Sequence, residues 1–175
     1  GHPPARGRPG HPVKRIALVG MPNTGKSTLF NRLTGSSARV GNWPGVTVDL
    51  ASAKLMVGGH LAELVDLPGL YDLHGFSDDE RVVRHFLEAT PVDAILVVAN
   101  ASQLDRQLGL AMQLACLGVP ALMLLNMTDE SRRSGIAIDE DRLSAGLGMP
   151  VASISARLGE GVPQAMQRLA TLLDG

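Results

Sequence analysis

One short segment of the sequence has the residue types and spacing that bind phosphate groups. The run Gly20-Met21-Pro22-Asn23-Thr24-Gly25-Lys26-Ser27 fits the pattern G-x-x-x-x-G-K-[ST], with an apolar run before it and a helical pattern after it. The two glycines allow a tight turn in which backbone N–H groups converge on phosphate oxygens, and the helix adds the positive end of its dipole. The lysine suits the β- and γ-phosphates of a nucleotide, and the serine hydroxyl suits Mg²⁺. We therefore predict a phosphate-binding loop (P-loop) formed by Gly20, Met21, Pro22, Asn23, Thr24, Gly25, Lys26, Ser27 and Thr28.

A P-loop alone does not distinguish ATP from GTP. A second motif indicates which base the nucleotide carries. Asn126-Met127-Thr128-Asp129 directly follows an apolar run, which places it at the carboxyl edge where open α/β sheets bind ligands. A carboxylate there accepts hydrogen bonds from both N1–H and the exocyclic amine of guanine, and adenine lacks that pair of donors. Alone, N-x-x-D would be a polar cap on a strand; after a P-loop it predicts GTP or GDP. Ser155, Ala156 and Arg157 follow the last predicted strand and are expected to wrap the base through backbone groups.

Two further segments are expected to complete a Mg²⁺ site. Asp66-Leu67-Pro68-Gly69 ends a predicted strand, so Asp66 fits the second metal position and the Gly69 N–H is expected to face the γ-phosphate. Gly45-Val46-Thr47 lies in a long loop, where the threonine hydroxyl is the second candidate hydroxyl ligand. The predicted Mg²⁺ ligands are therefore Ser27, Thr47 and Asp66.

The elements that must position these segments alternate between strand and helix. The predicted strands are 15–19, 54–57, 61–65, 94–99, 121–125 and 151–154, and the predicted helices are 26–33, 78–88, 104–117, 139–147 and 162–173. Such alternation predicts an α/β domain with a mostly parallel six-stranded sheet and helices on both faces. Gly58-Gly59 between two of the strands predicts one antiparallel hairpin. The segment 34–48 has no period and is expected to be a loop.

Composition limits the class of protein. Of 175 residues, 45% are hydrophobic and 19% are charged, which is typical of one globular domain. The net charge of −1 argues against broad capture of nucleic acid, and no segment approaches the ~20 apolar residues that span a bilayer. Residues 1–12, rich in glycine and proline, are predicted to be a disordered tail before one folded domain over 13–175.

Two local predictions concern residues that resemble sites without being expected to form them. Cys116 lies in an apolar run, so we expect a buried small hydrophobic residue rather than a reactive thiol. Asp78-Asp79-Glu80 is expected to be the first turn of a helix capped by Ser77, since carboxylates favour that end of the dipole. We therefore expect no Fe²⁺ site in this domain.

The order of these motifs resembles that of the TRAFAC-class GTPases with a Ras-like fold. Three strings are closest to the G domain of the bacterial ferrous iron transport protein B (FeoB) family: Arg39-Val40-Gly41-Asn42-Trp43-Pro44-Gly45-Val46-Thr47-Val48, Asp66-Leu67-Pro68-Gly69-Leu70-Tyr71 and Asn126-Met127-Thr128-Asp129. The resemblance extends from about Lys14 to Leu173 and implies a Ras-like P-loop GTPase. Asp79 stands where the family usually has glutamate and Asn100 where aspartate is common, and neither is expected to touch the nucleotide motifs.

The resemblance also implies how hydrolysis is assisted. The family's P-loop asparagine matches Asn23 and is associated with a K⁺ that activates hydrolysis; carbonyls around Gly41 and Trp43 are expected to complete that site. The alternative for Asn23 is a turn-stabilising residue, and Trp43 is expected either to anchor its loop in the core or to cover the nucleotide. After D-x-P-G the sequence offers Leu70 and Tyr71, which cannot orient water, so the residues expected to support catalysis are Lys26, Thr47, Asn23 and Gly69.

Partners follow from the same resemblance. It implies a domain that hydrolyses GTP to GDP and phosphate at the cytoplasmic face of the bacterial inner membrane. Its expected partner is a membrane permease portion of the same polypeptide, which together with a helical domain is absent from this sequence. Two alternatives remain at this point: an Era-like ribosome-assembly GTPase, and a nucleotide-sensing interaction module with negligible turnover.

Overall fold

A computed structural model describes residues 13–175, so the tail predicted for residues 1–12 lies outside the described residues. The strands are β1 (Lys14–Gly20), β2 (Arg39–Gly41), β3 (Leu50–Val57), β4 (His60–Asp66), β5 (Ala94–Asn100), β6 (Ala121–Asn126) and β7 (Val151–Ile154). The α-helices are α1 (Lys26–Thr34), α2 (Asp78–Ala89), α3 (Leu104–Ala115), α4 (Asp129–Arg133), α5 (Glu140–Leu147) and α6 (Val162–Asp174).

These strands form one sheet in the order β2-β3-β4-β1-β5-β6-β7. The pairs β4–β1, β1–β5, β5–β6 and β6–β7 are parallel, whereas β3 runs antiparallel to both of its neighbours. The hairpin between β3 and β4 turns at Gly58, whose φ of 58° is a conformation that favours glycine. Consecutive parallel strands are joined through helices, as crossover connections require.

Helices cover both faces of the sheet, so the central strands are buried on both sides. On one face α2, α3 and α5 pack through Phe86, Leu114 and Leu147 against side chains such as Ala17 and Val97. On the opposite face α1 and α6 enclose a second cluster, whose members include Leu18, Leu29, Leu64, Leu96, Leu124 and Leu169. The predicted α/β fold, with a mostly parallel sheet between two helical layers, is confirmed.

The predicted number of strands was wrong, since the sheet has seven strands rather than six within residues 13–175. The missing one is β2, which lies within the segment expected to be a loop and pairs Val40 with Ala51. A three-residue edge strand is too short to show a period of two, and Val40 remains 71% exposed. Helix α4 was also missed, because its five residues are fixed by a capping box between Thr128 and Ser131.

The prediction that Cys116 is buried was wrong as well. Helix α3 ends at Ala115, and Cys116 is exposed as the residue that caps this end. The inward positions of the helix are Leu110, Ala111 and Leu114, so the thiol falls outside the apolar face. The expected cap on α2 is confirmed: the Ser77 side chain accepts a hydrogen bond from the Glu80 N–H at 3.3 Å.

Candidate nucleotide-binding site

The predicted motifs meet at one edge of the sheet. Strands β1, β4, β6 and β7 run parallel to one another, and each leads directly into a predicted site segment at its carboxyl end. The residues that end them are Gly20, Asp66, Asn126 and Ile154. Carboxyl edges of open parallel sheets are where such folds bind ligands.

The P-loop backbone takes conformations that few residue types adopt. Gly25 has a φ of 88° and Asn23 a φ of 64°, the latter being the one non-glycine residue with positive φ among residues 13–175. A side chain at Gly20 would meet the Val98 carbonyl oxygen at 2.6 Å, so β5 lies against the loop. Thr24 closes the turn by donating its hydroxyl to the Met21 carbonyl oxygen at 3.1 Å. The loop is therefore built around two glycines and one strained asparagine.

Asn126 joins the P-loop to the loop expected to surround the base. Its amide nitrogen donates to the Thr24 carbonyl oxygen at 2.9 Å, and its amide oxygen accepts from the Ala156 N–H at 2.9 Å. A Cβ added at Gly25 would overlap this amide, which explains why the position holds glycine. Both hydrogen bonds are buried, so the first residue of N-x-x-D acts as a structural tie between two motifs.

Of the residues expected around phosphate and metal, Lys26, Ser27 and Gly69 line one cleft of about 480 Å³. Lys26 forms an ion pair with Asp66, and the Ser27 hydroxyl lines the same cleft. A hydroxyl and a carboxylate are oxygen donors of the kind that Mg²⁺ prefers, so this donor set fits the metal that the motifs imply.

Asp79 also lines this cleft, beside residues of the P-loop and Gly69. The expectation that it does not touch the nucleotide motifs stays a prediction.

Trp43, in the loop between β2 and β3, packs against α2 and does not line the cleft. The Trp43 ring contacts Phe86 of α2 edge to face, with centroids 5.3 Å apart, and lies 5.2 Å from the Arg15 guanidinium carbon. Arg15 donates to the Pro91 carbonyl oxygen just before β5, so this contact is at the amino end of the sheet. Trp43 therefore anchors its loop in the core and does not cover the cleft.

Other residues predicted in this loop are likewise separated from the cleft. A side chain at Gly45 would meet Ala89, at the C-terminal end of α2. The cleft is lined by Met21, Pro22, Asn23, Gly25, Lys26, Ser27, Thr28, Gly69 and Asp79, and no residue of 41–49 is among them. The assembly of Gly41, Trp43, Gly45, Val46 and Thr47 with the P-loop thus stays a prediction.

The segment after Asp66 packs on β1 and the P-loop. Leu67 donates its N–H to the Leu18 carbonyl oxygen at 3.1 Å, and Leu70 donates to the Gly20 carbonyl oxygen at 3.1 Å. A Cβ at Gly69 would come within 3.1 Å of the Pro22 backbone nitrogen, so these two loops are in direct contact. Leu70 is buried and Tyr71 is 65% exposed.

A glutamine of α3 holds the segment that follows. The Gln113 amide oxygen accepts from the Leu73 N–H at 2.8 Å, and its nitrogen donates to Asp72 at 2.8 Å. The pKa of the Asp72 carboxyl is lowered from its ordinary value, chiefly because it accepts from the His74 N–H and then because Gln113 donates to it. Gln107 is engaged elsewhere, since its side chain bonds the backbone of Asn100 at 2.8 and 3.1 Å.

The expected base site has a carboxylate facing the loop that follows β7. Asp129 begins α4, and its Oδ1 accepts from the Arg157 Nη2 at 2.9 Å. Arg32, in the last turn of α1, donates its Nε to the Ala156 carbonyl oxygen at 2.8 Å and its Nη2 to the Arg157 carbonyl oxygen at 2.6 Å. The Ser155 hydroxyl oxygen accepts from the Leu158 N–H at 3.1 Å. Residues 155–158, the loop expected to surround the base (the base loop), are thereby held by Asp129, by Arg32 and by one hydrogen bond within the loop.

Sequence reasoning missed Arg32 and Gln113. The sequence gives a partial indication for Arg32, because it lies in the last turn of a predicted helix, where a cation is favourable. The sequence does not indicate that Arg32 binds carbonyl groups of another loop. For Gln113 there is no indication, since its partners are 40 and 41 residues away in the sequence.

Within residues 13–175, no three His, Cys, Asp or Glu side chains come together as a candidate metal cluster. Helices in the same range are too short or too polar to cross a bilayer. Neither observation tests the expectations about Fe²⁺ or the membrane, which stay predictions.

Fold and site together define a P-loop domain of the GTPase class, with a Ras-like sheet and a guanine-type N-x-x-D segment at its carboxyl edge. A family model described as "Ferrous iron transport protein B" matches residues 14–169. The chain belongs to this family, as the N-terminal G domain, and an Era-like assignment is set aside.

Relatives and solved structures agree with the family match. The Fe(2+) transporter FeoB of Synechocystis sp. is 52% identical over 156 residues, covering 89% of this chain and 25% of that protein. The cytosolic domain of L. pneumophila FeoB has a TM-score of 0.85 at 42% identity, over 91% of this chain and 63% of that one. The cytosolic domain of the T. maritima FeoB iron transporter in a GDP form has a TM-score of 0.85 at 33% identity, over 92% and 63% respectively. The chain thus spans about a quarter of the length of the Synechocystis protein.

Proposed function

We propose that this chain binds GTP and GDP, and that it hydrolyses GTP with Mg²⁺ as the nucleotide-dependent part of a bacterial ferrous iron transporter. The observation that carries the proposal is the buried Asn126 side chain, which ties the P-loop at Thr24 to the base loop at Ala156. One residue thereby sets the spacing between a phosphate subsite and a base subsite. The T. maritima relative is described in a GDP form, which supports a guanine nucleotide here.

The proposed roles follow the positions of the side chains. The P-loop N–H groups and Lys26 bind the phosphates, and Lys26 then exchanges its contact with Asp66 for one with the nucleotide. Ser27, Thr47 and Asp66 hold Mg²⁺, directly or through water. When bound, the ion neutralises charge on the β- and γ-phosphate oxygens. The Gly69 N–H is proposed to donate to the γ-phosphate, which it can approach because Gly69 lies against the P-loop at Pro22.

Base recognition is assigned to the segment that begins α4. Asp129 is exposed enough to receive a ligand, and Asn126, Met127 and Thr128 lead to it from β6. The backbone of Ser155, Ala156 and Arg157 is held by Arg32 and Asn126, so it presents fixed groups beside the base. Donors and acceptors held in fixed positions discriminate between guanine and other bases, because a mismatched base leaves them unpaired.

We also propose that K⁺ stimulates hydrolysis at Asn23, with carbonyls of Gly41 and Trp43 completing its site. A monovalent cation near the phosphates supplies part of the charge compensation that an arginine finger gives elsewhere. Support comes from Asn23, which lines the phosphate cleft, and from positions 70 and 71, which are leucine and tyrosine rather than glutamine. Because Trp43 lies against Phe86, this site requires the loop of residues 42–49 to move.

We propose that this domain is one part of a longer transporter polypeptide. Relatives named Fe(2+) transporter FeoB are about four to five times as long as the aligned part, so a membrane permease is the proposed partner within one polypeptide. The domain would then act at the cytoplasmic face of the inner membrane, without inserting into the membrane and without binding nucleic acid. The net charge of −1 agrees with the last point.

Asp129→Asn tests the base assignment. The amide offers one donor and one acceptor where guanine needs two acceptors, so we expect GTP affinity to fall by about 2–3 kcal/mol and xanthosine triphosphate affinity to rise. Titration with both nucleotides measures the change, and Asp141→Asn, at an exposed position of α5, is the matched control. Unchanged GTP affinity in Asp129→Asn would reject the base site.

Asn23→Ala tests the K⁺ assignment. We expect single-turnover hydrolysis in the parent to be faster in K⁺ than in Na⁺ at equal ionic strength, with little change in nucleotide affinity. That pattern identifies an interaction made mainly in the transition state. The variant should lose the K⁺ stimulation and keep the slow Na⁺ rate. Equal parent rates in the two salts would rule out the K⁺ role and leave the GTPase proposal standing.

A further inference from the structure

The guanidinium of Arg157 lies on the carboxylate proposed to read the base. Its Nη2 is 2.9 Å from Asp129 Oδ1, and both side chains are well exposed, at 66% and 62%. A guanidinium presents parallel N–H donors that match a carboxylate in a fork geometry. The Watson–Crick edge of guanine presents the same chemistry, with N1–H beside the exocyclic amine.

We propose that the Arg157 side chain is an internal competitor of guanine, which closes the base site in a fraction of the nucleotide-free molecules by pairing with Asp129. The proposal rests on the proposed function, because it requires Asp129 to be the residue that recognises guanine. GDP or GTP must displace the guanidinium before the base can bind. The apparent affinity for both nucleotides is therefore the intrinsic affinity multiplied by the fraction of molecules in which the Arg157–Asp129 pair is open.

The main chain around Arg157 keeps this competitor in position. Arg32 donates to the carbonyl oxygens of Ala156 and Arg157 at 2.8 and 2.6 Å, and Asn126 accepts from the Ala156 N–H. These contacts fix where the side chain begins, while its exposure leaves the guanidinium free to swing into solvent. The pair therefore opens without disturbing the loop that is proposed to surround the base.

The size of the effect is limited by the exposure of the pair. Exposed ion pairs contribute little, because water and salt screen them and two side chains must be ordered. We expect a change of about two- to fivefold in nucleotide affinity, of which fivefold corresponds to ~1 kcal/mol at ~1.4 kcal/mol per decade. An ion pair with an effect of this size changes the occupancy of the site by nucleotide but does not prevent nucleotide from binding.

Arg157→Ala is the direct test, with a fluorescent GDP analogue as the probe. We expect the variant to bind about two- to fivefold more tightly than the parent, mainly through faster association, and the gain to shrink as KCl is raised. Arg132→Ala is the matched control: Arg132 pairs with Glu160 at 2.7 Å near the same loop, so the variant removes equal charge without touching Asp129. We expect the control to bind like the parent.

Two further measurements keep the result interpretable. Arg157→Lys should fold even if the alanine variant does not, and its single-point ammonium should give an affinity between those of the parent and the alanine variant. In the Asp129→Asn background, measured with xanthosine diphosphate, removing Arg157 should bring a smaller gain. Unchanged GDP affinity in Arg157→Ala overturns the proposal, and weaker affinity overturns it by showing that the side chain supports the base. If the parent binds no GDP, or Asp129→Asn keeps its guanine preference, the proposed function itself has failed.

Discussion

The side-chain amide of Asn126 donates to the carbonyl oxygen of Thr24 at 2.9 Å, which joins the end of β6 to the P-loop. The same side chain accepts from the Ala156 N–H, so three motifs separated by up to 132 residues share one buried group (Thr24 to Ala156). Buried amides are held in one orientation when both ends are paired. The proposed phosphate and base subsites therefore have a fixed separation before any nucleotide binds.

Asn126→Ala should damage stability and nucleotide binding together. It leaves the Thr24 carbonyl and the Ala156 N–H buried without their partner, at a cost of about 1–3 kcal/mol. For a domain of this size that cost corresponds to a fall in Tm of roughly 2–12 °C. Thermal unfolding and GDP titration measure both effects. A variant with unchanged GDP affinity would show that the tie does not position the subsites.

Gly25→Ala and Gly35→Ala form a matched pair. Both glycines have positive φ, 88° and 55°, so alanine costs about 1–3 kcal/mol of backbone strain at either position. Only at Gly25 would the added Cβ overlap the Asn126 amide, while nothing lies within 4 Å of a Cβ at Gly35. We expect Gly35→Ala to bind GDP normally and Gly25→Ala to lose most binding. Equal GDP affinities for the two variants would contradict this account of the P-loop.

Arg32→Ala should loosen the base loop and leave the phosphate loop intact. Its guanidinium donates to two carbonyl groups of that loop, and charge-assisted hydrogen bonds contribute about 1.5–3 kcal/mol before screening at an exposed site. We expect GDP affinity to fall about five- to tenfold while affinity for inorganic pyrophosphate stays the same. Arg133→Ala, an exposed neighbouring arginine of α4, serves as the control. A parallel loss of pyrophosphate affinity would argue that Arg32 supports α1 and its P-loop instead.

Trp43 is the single tryptophan in the sequence and therefore reports directly on its loop. If GTP and Mg²⁺ draw Thr47 towards the γ-phosphate, the indole must leave Phe86 and Arg15, and its emission should change. A non-hydrolysable GTP analogue should cause the change and GDP should not. Thr47→Ala should abolish it while keeping GDP affinity, and Thr171→Ala on α6 should behave like the parent. Identical spectra with the two nucleotides would argue against loop movement.

Much of this architecture could be predicted from the sequence, because it rests on local patterns. The P-loop residues carry their own spacing, and the central strands are continuous apolar runs such as 94–99. β2 could not be predicted in this way, since three residues with an exposed Val40 become a strand only by pairing with β3. Cys116 was misplaced because apolar neighbours indicate burial until the last turn of α3 is known.

The contacts that complete the site are the part that sequence reasoning could not reach. Asn126, Arg32 and Gln113 act through partners far away in the chain, so no local spacing predicts them. Trp43 had two interpretations, and only its packing against Phe86 distinguishes an anchor from a cover in this conformation.

Single-turnover phosphate release with GTP and with ATP, in Mg²⁺ and K⁺, tests the central claim most directly. We expect the parent to convert GTP to GDP and phosphate and to leave ATP unchanged, because Asp129 has no donor pair to accept from on adenine. Lys26→Ala should lower the GTP rate by at least about tenfold, since its ammonium is proposed to contact the transferred phosphate. GTP turnover in the parent no faster than in Lys26→Ala would contradict the assignment and leave a nucleotide-sensing module with negligible turnover.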